Sequence, residues 1–76
     1  MRMMKTEWIN GFEIRTAVNQ DTVVISANRE GLLSLAAQLT KLASELPGSH
    51  IHYDENNSLE EGSAEMIIEK IPGGSL

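Results

Sequence analysis

The sequence predicts an α+β domain of the order β-β-α-β-β, in which one helix packs on one face of a four-stranded sheet. Two segments rich in β-branched and aromatic residues precede residue 28, and two more follow residue 48. Between them, leucines recur at steps of three and four residues, which indicates an amphipathic helix. With 76 residues, the chain predicts a single small domain over 1–76, with tails at 1–6 and 72–76.

The first two segments are predicted to form a hairpin. Residues 7–17, EWINGFEIRTA, alternate between apolar and polar side chains, which is typical of a half-buried strand. Asn10-Gly11 could instead form a turn and make the first residues a separate arm. The polar residues 19–21 are a turn signal, and the following TVVISA, residues 22–27, predicts a second strand.

The helix is predicted to begin after Asn28, whose side-chain oxygen can accept a free backbone N–H of the first turn. Pro47-Gly48 is predicted to end it. The apolar face predicted to pack on the sheet comprises Leu32, Leu35, Leu39, Leu42 and Leu46. The opposite, solvent-facing side is predicted to hold Ser34, Gln38, Lys41 and Glu45.

Two further strands are predicted in SHIHYD and AEMIIEKI, separated by the loop ENNSLEEGS. Alternation points Ile51 and Tyr53 to one face of the third strand, with the Tyr53 hydroxyl at the rim of the core. A single helix covers only one face of a sheet. The other face would then be polar or covered, and a homodimer through this open face is an alternative, with Trp8, Val24 and Ile67 as its apolar candidates; Trp8 is otherwise a core residue.

The charge of the chain is unevenly distributed. The net charge is −5, and residues 42–69 contain no Lys or Arg. Nucleic-acid binding needs clustered cations, so the sequence predicts no nucleic-acid partner. An acidic half would instead steer a basic protein toward it, although a merely solvated surface is the simpler alternative. The acidic residues of this stretch are Glu45, Asp54, Glu55, Glu60, Glu61, Glu65 and Glu69.

A metal site is the second interpretation of the third strand. His50, His52 and Asp54 alternate onto one strand face, where two imidazoles and a carboxylate could reach one zinc ion. A solvent-exposed strand face also carries a polar residue at every second position. Metal sites usually draw their ligands from more than one segment. The sequence therefore favours a partner-facing strand and predicts neither a metal nor another cofactor.

Catalysis is not predicted. Adjacent carboxylates such as Glu60 and Glu61 diverge rather than converge, and so short a chain has little room for a deep cleft. No nucleophile motif flanks either histidine. No apolar run reaches the roughly 20 residues of a membrane span, and no secretory signal is apparent. The absence of cysteine fits a cytoplasmic protein, which is the localisation we predict.

The runs ISANREGLLSLAAQLTKLA and PGSHIHYDENNSLEEGSAEMIIEKI resemble immunity protein family 32 of bacterial polymorphic toxin systems. The resemblance covers about residues 23–71. The parts that carry it are Gly31-Leu32-Leu33, a histidine-containing strand at 50–54, the turn at 59–63 and the final strand at 65–69.

This resemblance implies a protein that binds and blocks a toxin delivered by related cells. Toxin domains that cut nucleic acid are often basic, and an acidic inhibitor would be drawn to them rapidly. From charge and position, the predicted contact residues are Asp54, Glu55, Glu60, Glu61 and Glu65, with His50 and His52 at the edge. The alternatives are the metal-binding domain and the homodimeric module.

Overall fold

The computed structural model describes residues 6–73 and contains one helix and four strands. The elements are β1 (Ile14–Asn19), β2 (Thr22–Ala27), α1 (Arg29–Ala43), β3 (His50–Tyr53) and β4 (Met66–Glu69). The predicted α+β order is confirmed. The predicted tails at 1–6 and 72–76 fall largely outside the described residues.

The strands form two separate two-stranded sheets, so the predicted four-stranded sheet is wrong. β1 pairs with β2 and β3 pairs with β4, both antiparallel. The free edge of β1 faces the loop that precedes β4. Glu60 donates its backbone N–H to the carbonyl of Ile14 at 2.9 Å, and Ala64 donates to Thr16 at 3.1 Å. A turn at residues 61–62 lies between these two bonds, so the contact does not extend into a ladder.

Residues 6–12, called the arm below, are not part of β1, which starts at Ile14. Asn10 and Gly11 form the turn that the sequence offered as an alternative, with the Phe12 N–H donated to the Ile9 carbonyl at 3.1 Å. Gly11 has φ +89°, a conformation that favours glycine. The turn folds Trp8 back onto Phe12, with the two rings stacked at 4.3 Å between centroids. Trp8 therefore packs on the core, as its core interpretation predicted.

The buried face of α1 is rotated from the one predicted. Leu35 and Leu42 are buried, but Leu32, Leu39 and Leu46 are exposed. The buried residues of the helix are Gly31, Ser34, Leu35, Gln38 and Leu42. The helix also ends at Ala43, before the predicted stop.

The arm explains this rotation. The Ile9 N–H is donated to Ser34 Oγ at 2.9 Å, and Gln38 Nε2 is donated to the Glu7 carbonyl at 2.8 Å. Ser34 and Gln38 are buried because the arm covers their side of the helix and satisfies their polar atoms. The leucine repeat alone could not indicate this contact.

The core lies between α1 and the two sheets. Its buried apolar residues are Ile14, Leu35, Leu42, Ile51, Tyr53 and Leu59. Tyr53 is fully buried, and its hydroxyl is donated to Gln38 Oε1 at 2.7 Å, so the hydroxyl lies inside the core and not at the predicted rim. Trp8 meets the Tyr53 ring edge-on at 6.1 Å. The arm, the helix and β3 thus meet at one buried point.

Asn28 joins the start of the helix to the residues before β1. Its Oδ1 accepts the N–H of Gly31 at 2.8 Å, which confirms the predicted cap, and also that of Glu13 at 2.9 Å. Its Nδ2 is donated to the Gly11 carbonyl at 2.9 Å. One side chain therefore satisfies three backbone groups, two in the segment before β1 and one in the first turn of the helix.

Replacing Asn28 with alanine is expected to lower the free energy of unfolding by about 2 kcal/mol, because the cap and the link to the arm are lost together. Asn28→Asp keeps the accepting oxygen and should lose less. Chemical unfolding followed by fluorescence of the single tryptophan measures both. An Asn28→Ala protein as stable as the wild type would contradict this role of the side chain.

The open sheet face that the homodimer alternative requires does not form within residues 6–73, because their four strands pair as two separate sheets. Val24 lies exposed on the β1–β2 hairpin and Ile67 on β4, in two different sheets. The homodimer prediction thereby loses its structural basis. Within residues 6–73, no helix combines the length and the apolar character needed to cross a membrane.

Candidate functional site: an acidic cluster around His52

The third strand has the two faces that its alternation predicted. Ile51 and Tyr53 are buried in the core, whereas His50 and His52 are half-buried on the outer face. In the β3–β4 ladder His52 lies opposite Ile67, and Tyr53 lies opposite Met66. Asp54 directly follows β3 and Glu65 directly precedes β4, so both lie at the end of this ladder.

The turn after β3 fixes the Asp54 side chain. Asp54 Oδ1 accepts the backbone N–H groups of Asn56 at 2.9 Å and Asn57 at 3.1 Å. Asn57 in turn accepts the Asp54 N–H through Oδ1 at 3.1 Å and donates Nδ2 to the His52 carbonyl at 3.0 Å. Aspartate and asparagine commonly bond to nearby backbone in this way. The other carboxylate oxygen, Asp54 Oδ2, takes no part in this turn.

His52 lies between two carboxylates. Its Nε2 is 2.7 Å from Glu65 Oε2 and 3.7 Å from Asp54 Oδ2. Each contact is an ion pair when the imidazole is protonated, and the shorter one is a hydrogen bond. The side chain of Glu65 is 66% exposed, so this contact lies at the protein surface.

A depression of about 320 Å³ adjoins these carboxylates. Its lining residues are Asp54, Glu55, Asn56, Ser63 and Glu65. Glu55 also accepts the backbone N–H of Gly62 through Oε2, which links the two loop turns. Three of the five predicted acidic contact residues therefore share one concave surface.

The other two predicted acidic residues lie apart from this depression. Glu60 lines a second hollow, of about 260 Å³, together with Glu13 and Arg15. Glu61 is exposed, and its carbonyl accepts Arg15 Nη1 at 3.4 Å. The contact residues predicted as one group are thus divided between two neighbouring surfaces.

His50 does not join the cluster. Among residues 6–73, the side chains that come within ligand distance of one another are His52, Asp54 and Glu65. The alternative metal site considered from the sequence comprised His50, His52 and Asp54. His50 Nδ1 is buried without a hydrogen-bond partner. His50 and His52 are both within β3, where residues two apart are separated by about 7 Å. Asp54 instead lies in the turn after β3, and Glu65 comes from the segment leading into the paired strand.

In the described part of the chain, the carboxylates of this region have no Lys or Arg side-chain partner. Across residues 6–73, the one ion pair between a carboxylate and a Lys or Arg is Arg29–Glu30, at 4.0 Å. Arg15 and Lys70 donate to main-chain carbonyls instead, Lys70 to those of Ala43 and Glu45. Within residues 6–73, no Lys or Arg side chain therefore neutralises the negative charge of the acidic cluster.

Comparison with protein families gives a match to immunity protein 32 over residues 22–71. This match spans more than half of the 76-residue chain. The chain belongs to the immunity protein 32 family. Comparisons with curated proteins and with solved structures give no significant match.

Membership of the immunity protein 32 family confirms the family that the sequence resembled, and it suggests a toxin-neutralising role with a toxin as partner. Proteins of this kind are generally non-catalytic. The matched region runs from β2 to just beyond β4 and contains the whole His52 cluster. The arm and β1 lie outside it.

Three residues of the site were missed from the sequence, and one of them, Asn56, lines the depression. Asn57 holds both Asp54 and the His52 carbonyl, and Ser63 lines the depression while its Oγ accepts the Thr16 N–H at 3.2 Å. The sequence DENNS does carry a signal for the asparagines, since aspartate followed by asparagines favours turns in which side chains bond to the backbone. Nothing local indicates the contact of Ser63 with β1.

Proposed function

We propose that this protein neutralises a cognate toxin by binding it through the acidic surface around the depression next to β3 and β4. The observation that carries the proposal is the set of carboxylates from Asp54, Glu55 and Glu65 gathered on one concave surface without a Lys or Arg partner among residues 6–73. Family membership supplies the class of partner.

The shape of this surface suits a basic side chain. A depression of about 320 Å³ with three carboxylates at its wall can accept a lysine or arginine of the partner, which would replace water at several oxygens at once. Asp54 and Glu55 are held by hydrogen bonds within the loop, so little side-chain ordering remains to oppose binding. Charged partners of this kind meet rapidly at low salt.

Glu60 and Glu61 extend the acidic surface toward the β1–β2 hairpin. They belong to the loop that bonds to β1, with Glu60 held through its N–H on the Ile14 carbonyl at 2.9 Å. Because their side chains lie outside the depression, they would contact the partner at the rim, where charges contribute more to the association rate than to affinity. His50 and His52 border the same surface on β3.

The test is binding to the toxin domain encoded beside this gene, together with rescue of growth on co-expression. Glu55→Lys with Glu65→Lys is expected to weaken binding at least about tenfold, and Glu60→Lys with Glu61→Lys to weaken it less, mainly by slowing association. Raising the salt concentration should weaken the wild-type complex.

The matched control is the double variant Glu7→Lys with Asp21→Lys. It changes the net charge by the same amount, but Glu7 is exposed on the arm and Asp21 in the hairpin turn. This control should bind and protect like the wild type. If both acidic-surface variants protected as well as the control while remaining folded by circular dichroism, the acidic contact surface would be rejected.

A further inference from the structure

We propose that His52, Asp54 and Glu65 form a binding site for one divalent transition-metal ion of the zinc class. One ligand atom from each lies within 4.8 Å of the other two. His52 Nε2 is 2.7 Å from Glu65 Oε2 and 3.7 Å from Asp54 Oδ2. Zinc bonds of about 2.0–2.2 Å place two ligands of one ion roughly 3–3.5 Å apart, so the observed distances bracket those of a bound ion.

The backbone already aims these groups at one point. The β3–β4 ladder ends at Tyr53 opposite Met66, so the next residue on each side, Asp54 and Glu65, begins close to the other. Ligand atoms of both lie within 4.8 Å of His52 and of each other. Because Asp54 Oδ1 is engaged by two backbone N–H groups, Oδ2 is the oxygen left to face the imidazole. Asn57 ties the His52 carbonyl to the same turn. Hydrogen bonds that orient a ligating carboxylate are typical of metal sites.

The charge and the space at the cluster also suit a cation. Two carboxylates face one imidazole, and among residues 6–73 no Lys or Arg side chain pairs with either carboxylate. A divalent ion would balance both charges. The depression beside Asp54 and Glu65 leaves room for water at the remaining coordination positions.

This site differs in composition from the one the sequence offered. Glu65 comes from the segment leading into β4, which meets the requirement that ligands come from more than one segment, and His50 takes no part. The proposal is therefore specific about which of the two histidines binds.

The experiment uses the full chain, freed of metal with a chelator and titrated with zinc chloride by calorimetry and by NMR of the histidine side chains. We expect one ion per chain, with the ring signals of His52 shifting far more than those of His50. His52→Ala and Glu65→Gln should each weaken zinc binding by roughly tenfold or more. Because Glu65 is exposed, Glu65→Gln leaves the core untouched.

His50→Ala is the matched control and should bind zinc within about twofold of the wild type, a difference too small to indicate a lost ligand. The proposal is overturned if binding is not stoichiometric, if both rings shift alike, or if His50→Ala loses binding as His52→Ala does. No toxin is present in this experiment. Zinc binding without toxin binding would therefore retain this site and reject the proposed function, and the reverse result would do the opposite.

Discussion

Replacing Gly31 with alanine is expected to destabilise the domain by about 3 kcal/mol or more, which would leave much of so small a protein unfolded. A Cβ at this position would lie 2.5 Å from the Glu13 carbonyl oxygen, 3.0 Å from Ile14 Cγ1 and 3.1 Å from Ala27 Cβ. The first of these atoms belongs to the backbone and accepts the Asn28 N–H at 3.1 Å, so it cannot move aside without breaking that bond.

The expected loss of stability is opposite to what intrinsic helix propensity alone would give for a glycine-to-alanine change. Within α1, alanine is favoured over glycine by about 1 kcal/mol in the absence of other contacts. Here the first turn of the helix packs directly on Glu13 and Ile14, and the lack of a Cβ on Gly31 permits this close approach. The Gly31-Leu32-Leu33 segment that resembles the family therefore has a packing reason for its first residue.

The measurement is urea unfolding followed by fluorescence of the single tryptophan, Trp8. The control is Ala36→Gly, at an exposed position of the same helix, which should cost about 1 kcal/mol through propensity alone. A Gly31→Ala protein at least as stable as the wild type would show that the close approach of the helix to Glu13 is not maintained in solution.

Most local elements could be predicted because their signals lie in adjacent residues. The predicted second strand matches β2 at Thr22–Ala27, and Asn28 is the cap that the pattern indicated. The assembly of the elements could not be predicted in the same way. Whether β1 meets a strand or a loop at its free edge depends on Glu60 and Ala64, more than 40 residues away along the chain.

The buried face of the helix was mispredicted for a similar reason. Leucine spacing identifies an apolar stripe, yet Ser34 and Gln38 became buried because the arm supplied hydrogen bonds to them. At the candidate site, acidic composition correctly drew attention to Asp54 and Glu65. Their meeting with His52 follows from the pairing of β3 with β4, which no single segment reveals.

Above pH 10 the domain is expected to lose about 2–3 kcal/mol of stability because of Tyr53 alone. Burial raises the pKa of Tyr53 from its ordinary value of 10.0 to about 12. Between these two pH values the unfolded chain gives up the phenol proton while the folded protein keeps it. The contribution is therefore fully present below pH 10 and is lost as the pH rises through about 12.

Tyr53→Phe isolates this effect. Near neutral pH the variant should be less stable by about 1–3 kcal/mol, because Gln38 Oε1 loses the buried hydroxyl that it accepts at 2.7 Å. Between pH 10 and 12 the difference should shrink, since the variant has no phenol to titrate. Unfolding is measured for both proteins with chelator present. Subtracting the free energy of unfolding of the variant from that of the wild type at each pH removes the contribution of the lysines, which titrate in the same range.

Tyr53 is the only tyrosine, so the ultraviolet absorbance of tyrosinate reports its ionisation without interference. In the folded protein this absorbance should appear about two pH units later than in the urea-unfolded chain. If it rose at pH 10 in both, the hydroxyl would be in contact with solvent. The arm, the helix and β3 would then not meet at Gln38, because the bond from Tyr53 to Gln38 and the bond from Gln38 to the Glu7 carbonyl share one amide.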